Sequence, residues 1–163
     1  MAQALENLGY VAYQQGAHQQ ATLFFEESLA LFRELARKDT IAWLLGDLGI
    51  AAGQQGDHAR AAALLSEALP LTQEVGDASL IAMCLIGLAG IQQQPIRAAQ
   101  LLGTAQAAFE ASDEVVEPFH RAAQERIENA ARAALSEDEF AAAWAEGRAM
   151  EMEQAIELAL SDE

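Results

Sequence analysis

Several residue groupings have the types that chemistry uses, and each can be weighed by its spacing. His18 and His58 stand 40 positions apart at the same phase of a repeated pattern. Neutral imidazoles bind metals, but no Cys or second nearby His completes a ligand set, so a shared packing role is expected. Glu117-Pro118-Phe119-His120 is half of a carboxylate-bridged di-metal motif. Such a site needs two Glu-x-x-His copies and two further Glu, which makes His120 a surface or packing residue. Cys84, the single cysteine, sits in an apolar run and reads as a small buried hydrophobe. Gly49, Gly53 and Gly56 follow no strand, so they are not a phosphate loop. The only lysine is Lys38, no GxxxxGK[ST] run occurs, and no serine has a nucleophile-elbow context. Glu26-Glu27 and Glu137-Asp138-Glu139 read as a solvated face and a helix start. Neither catalysis nor a cofactor is expected.

The elements that position these residues are helices. The 163 residues are 52% hydrophobic, rich in Ala, Leu, Glu and Gln, and poor in β-branched and aromatic types. The formal charge is −16, with 10 acids and 5 bases in 1–109 and 15 acids and 4 bases in 110–163. That balance argues against nucleic acid or an anionic membrane as partner. One cysteine fits a reducing cytoplasm. No run approaches the roughly 18 apolar residues of a membrane span, and no signal peptide opens the chain.

A shift of 40 superimposes Gly9 on Gly49, Gly16 on Gly56, His18 on His58 and Ala21 on Ala61. Leu5, Leu45 and Leu85 share one phase, and Leu8, Leu48 and Leu88 another. A third copy, 85–109, is shortened at its turn, where Ala61 matches Ala98 at an offset of 37. Each copy holds two helical stripes: Leu5, Leu8 and Ala12, then Ala21, Phe25 and Leu29. Gly16 and Gly56 are turn glycines. Asp39 or Ser79 is expected to cap the following helix, and Pro70 to bend the helix that contains it. Three pairs are expected at about 2–37, 40–75 and 79–111. Helices bearing one apolar face each must stack on neighbours.

Past 111 the period stops. Ser112-Asp113-Glu114 breaks it, and Pro118 opens a helix whose stripe runs Phe119, Ala122, Ala123, Ile127, Ala130, Ala131 and Ala134. Ser136 and Glu139 form a capping box before Phe140, Ala143 and Trp144. A last helix at about 151–160 carries Met152, Ala155, Ile156 and Leu160. Residues 112–163 are expected to be an acidic cap closing an all-α superhelix.

Leu8, Gly9, Ala12, Ala21 and Phe25, and again Leu48, Gly49, Ala52, Ala61 and Leu65, resemble the tetratricopeptide repeat signature. The third copy departs from it with Ala89 and Gln92. The resemblance implies a right-handed α-α solenoid and a concave groove lined by the first helix of each pair. Its groove phases are Glu6, Tyr10, Tyr13 and Gln14, then Trp43, Asp47, Ile50 and Gln54, then Met83, Ile86 and Gly90. Tyr and Trp there are binding anchors, or else the acidic C-terminal helices fold back over them, or they pack against a preceding repeat of the full protein. Residues 97–111 and 137–160 are similar to the C-terminal end of large bacterial signalling regulators, in which a repeat region joins a signal-transducing NTPase, a cyclase or a LuxR-type helix-turn-helix. Glu151 departs from the Ser or Thr cap usual there.

The expected function is a non-catalytic protein-interaction and regulatory module, a piece of such a regulator. Its partner is a protein, a peptide or the effector domain of the parent chain. Two alternatives stand beside it: an inducer sensor with a site at Tyr10, Tyr13 and Trp43, and a structural oligomerisation element. An uncapped first helix pair predicts homodimerisation.

Overall fold

The computed structural model describes residues 1–112 and 115–161, so of the expected break Ser112-Asp113-Glu114 the residues Asp113 and Glu114 lie outside the described residues, and Ser112 ends a helix. Among the described residues there are nine α-helices and no strand. They are α1 (Ala2–Gln14), α2 (His18–Glu34), α3 (Lys38–Gln54), α4 (His58–Val75), α5 (Ala78–Ala89), α6 (Pro95–Ser112), α7 (Pro118–Ala134), α8 (Glu137–Ala149) and α9 (Met152–Leu160). The architecture is an all-α, tetratricopeptide-like superhelix with further helices at its C-terminal end.

The repeated residues have one physical role in each copy. Gly16 and Gly56 turn the chain at φ of 77° and 81°, a region that favours residues lacking Cβ. The closing bonds are the same, Ala17 N–H to Ala12 C=O and Asp57 N–H to Ala52 C=O. A Cβ on Gly9 would lie 2.4 Å from Phe25 Cε1, and one on Gly49 would lie 2.6 Å from Leu65 Cγ. The small residue of the first helix therefore seats the large one of the second. In the third pair Ala89 and Leu102 hold these phases, and both are buried. Where Gly76 ends α4 at φ 75°, the equivalent Ala36 is forced to φ 52°, a left-handed conformation in which its Cβ is strained.

Identical letters differ where their neighbours differ. Leu48 and Leu88 are each 2% exposed because a preceding pair covers them, whereas Leu8 is 47% exposed on α1 and is not core. The expected caps also shift by two residues. Asp77, not Ser79, caps α5, accepting from Ser79 N–H at 2.8 Å, while the Ser79 hydroxyl donates to Ser112. Asp39 lies inside the first turn of α3 and pairs with Arg37, the N-cap residue. Asp and Ser caps act from just outside the helix, and α3 and α5 begin at Lys38 and Ala78, two to three residues before their first large apolar residues Ile41 and Leu80. Helix α4 continues through Pro70, which stands on its exposed side.

Helices α8 and α9 pack on α6, and α9 also touches α5. The α6–α8 crossing is a backbone contact: a Cβ on Gly147 would fall 1.9 Å from Gln100 O, and one on Gly103 2.5 Å from Trp144 O. Thr104 Oγ1 donates to Gly147 C=O there at 2.7 Å. Ser136 and Glu139 make the capping box of α8. Glu151 replaces a hydroxyl cap, and its N–H donates to Gln154 Oε1.

Candidate interaction groove

The first helices α1, α3 and α5 form one side of the array, and α7 lies across that side, touching all three as well as α6. Pro118 at its first position and the stripe Phe119, Ala123, Ile127, Ala131 explain both its start and its buried face. Phe119 enters between the tyrosines of α1, with ring centroids 4.4 Å from Tyr13 and 6.1 Å from Tyr10, all edge-on. Phe25 of α2 closes the cluster at 6.2 Å from Phe119. Such edge-to-face pairs each add about 1 kcal/mol beyond area burial.

Next to this cluster is a polar relay. Trp43 Nε1–H donates to Tyr10 Oη at 2.6 Å, the Tyr10 hydroxyl donates to Asp47 Oδ2, and His120 Nε2 meets Asp47 Oδ1 at 2.6 Å. The side chains of Asp47 and His120 are 0% and 1% exposed. The His120 ring also packs on Trp43 at 5.2 Å. Burial, then the Asp47 charge, pushes the Tyr10 phenol far above its usual range, so it stays a donor. Burial likewise raises Tyr13, whose hydroxyl donates to Gln54 Oε1. Glu6, bonded by Gln3 at 2.8 Å, is raised first by burial and then by Asp47. Burial lifts the Cys84 thiol to about 12.

The anticipated groove residues thus divide into three groups. Glu6, Tyr10, Tyr13, Trp43, Asp47 and Gln54 meet at the α1–α3 surface under and beside α7. Ile50, Met83 and Ile86 are core: Met83 Cε lies where a Cβ on Gly46 would stand, and Ile50 reaches Gly87. Gln14 is exposed, and Gly90 faces Ile127 of α7. The side holding Tyr10, Tyr13 and Trp43 is therefore covered by the folded-back C-terminal segment, and α7 itself stands over these three residues.

Neither Phe119 nor His120 was among the anticipated groove residues. Their sequence signal is an aromatic–imidazole pair directly after a helix-opening proline, on the stripe that α7 buries. Glu117 is exposed at the N-cap of α7, apart from the inward-facing His120. His18 and His58 are both exposed at the starts of α2 and α4. His18 does lie edge-on to Tyr13. Among the described residues, no group of three or more His, Cys, Asp or Glu is placed to hold a metal. None of their helices is long and apolar enough to cross a membrane.

No curated protein and no solved structure matches the chain. Residues 1–74 match the family model for the tetratricopeptide repeat. That span ends within the last turn of α4, so the match covers the pairs α1–α2 and α3–α4.

Proposed function

We propose that this chain is a non-catalytic protein-interaction module whose groove holds its own α7, and that a partner helix acts by exchange with α7. Tetratricopeptide repeats in general mediate protein–protein interaction. The observation that carries the reading is the seat itself. Phe119 and His120 occupy Tyr10, Tyr13, Trp43 and Asp47 as the anchors of an amphipathic helix occupy a receptor groove. Any ligand with a higher affinity for the open groove shifts the α7 equilibrium by that difference.

The finer reading is a regulatory segment of a bacterial signal-transduction or transcription regulator, working in the cytoplasm, with 1–111 as the array and 112–163 as the acidic cap. The likeness of 97–111 and 137–160 to such proteins supports it, and these two stretches meet at the Gly103–Gly147 crossing. Exposed Leu8 and Val11 on α1 support pairing with a second copy. The C-terminal edge of the array is occupied by α8 and α9, so that pairing joins two N-terminal edges.

The test titrates a labelled peptide of residues 117–134 into the full chain and into the Phe119→Ala/His120→Ala variant, with helicity monitored. The reading expects the variant, whose own α7 is weakened, to bind at least about tenfold tighter than the unaltered chain. Equal or absent binding to both overturns it.

A further inference from the structure

The shortened third repeat opens a cleft. Helix α3 has 17 residues and reaches Gln54, whereas its counterpart α5 has 12 and stops at Ala89. The turn that α5 lacks would have stood beside Gly53 and Gln54. Instead, the space between them and the middle of α7 is a cleft of about 390 Å³. Its walls are small or aliphatic, with Ala89, Gly90 and Ala98 on one side and Ile127 and Ala130 on the other. That volume lies in the range of small-molecule sites, which combine apolar walls with a few convergent polar groups.

The polar side chains here are Arg126, Gln54 and Gln92, of which Gln92 already donates to Ala159 C=O. Arg126 and Gln54 also border a smaller recess of about 160 Å³ beside Tyr13 and His18, so they stand at the junction of the two spaces. The Tyr13 hydroxyl donates to Gln54 Oε1, which leaves the amide nitrogen, with two N–H donors, for the cleft. In a chain with 25 acids, six of the nine Lys and Arg side chains pair with a carboxylate, yet Arg126 has no carboxylate partner among the described residues.

We infer that the cleft between the ends of α3 and α5 and the middle of α7 is a binding site for a small carboxylate with a compact apolar body. The Arg126 guanidinium takes the carboxylate in a forked pair, the Gln54 amide donates beside it, and the apolar body lies against Gly90 and Ile127. One guanidinium within a net charge of −16 suits a monoanion and opposes a phosphoryl dianion. Because Arg126, Ile127 and Ala130 belong to α7, an occupied cleft fastens that helix to the array. A small acid and a partner helix would then act against one another.

The experiment titrates the full chain with butanoate, hexanoate and benzoate, and with hexanamide as the uncharged comparison, by calorimetry. At least one acid is expected to saturate below about 10 mM, with hexanamide at least about tenfold weaker than hexanoate. Arg126→Gln, on an exposed side chain, is expected to lose about tenfold in affinity with its unfolding temperature unchanged. Ala130→Leu, which fills the cleft from an exposed helix position, is expected to weaken the same ligand. If no acid saturates, or the amide matches the acid, or either variant binds like the unaltered chain, the inference is overturned.

Discussion

His120 Nε2 and Asp47 Oδ1 lie 2.6 Å apart although 73 positions separate them, and neither side chain meets solvent. This contact and the Tyr10 hydroxyl on the other carboxylate oxygen fix where α7 sits on the repeats. Removing one member of a buried pair leaves the others desolvated and unsatisfied, at about 3–5 kcal/mol. Asp47→Ala is therefore expected to lower the unfolding temperature by about 10 °C. His120→Ala combined with it should cost less than the sum of the two, because the second change removes a group already orphaned. Thermal unfolding of the three variants measures both effects, and additivity would separate the two residues.

The α6–α8 crossing makes its own demand. Gly147→Ala puts a methyl group 1.9 Å from Gln100 O, a backbone atom that cannot rotate away. The helices must separate, breaking the Thr104–Gly147 bond and the Phe140 cluster beside it. A loss of about 3 kcal/mol or more is expected, with faster amide exchange in α8 than in α1–α4. Exchange mapped by mass spectrometry checks the location.

Glu6 gives a pH dependence of known sign. Burial and Asp47 hold its carboxyl above the ordinary 4.5, so the folded state binds this proton more readily than the unfolded state. Its contribution to stability is complete below 4.5 and is lost as pH rises through the raised value. Glu6→Gln keeps an acceptor for Gln3 and carries no charge. The variant should be more stable than the parent near neutral pH by a few degrees, with the difference closing below pH 4.5. A gap that widens on acidification would reverse this assignment.

Leu8 and Val11 are the face of α1 that later repeats bury. Sedimentation should show a concentration-dependent dimer that Leu8→Glu/Val11→Glu abolishes without loss of helicity. A monomer throughout would leave the second-copy proposal without support.

The 40-residue period made the helix pairs, the Gly16 and Gly56 turns and the Gly9–Phe25 contact legible, since each depends on residues close in sequence or at one repeat phase. It could not separate Leu8 from Leu48, whose difference is the presence of a covering neighbour. Nor could it place α7. That helix has no repeat phase, and its mixed-charge outer face, with Arg121, Glu125 and Arg126 exposed, reads alike over a groove or at an array's end. Gly103 and Gly147 both stand inside helical stripes, where a glycine that costs helix stability signals close approach of another backbone. Their pairing, however, needs the tertiary crossing.

The most direct test of a groove held by its own chain is the Tyr13–Phe119 contact, with ring centroids 4.4 Å apart. Nuclear Overhauser spectra of the full chain should show cross-peaks between the Tyr13 and Phe119 aromatic protons. Intense cross-peaks of Tyr13 to water with none to Phe119 would place α7 elsewhere and contradict the self-occupied groove.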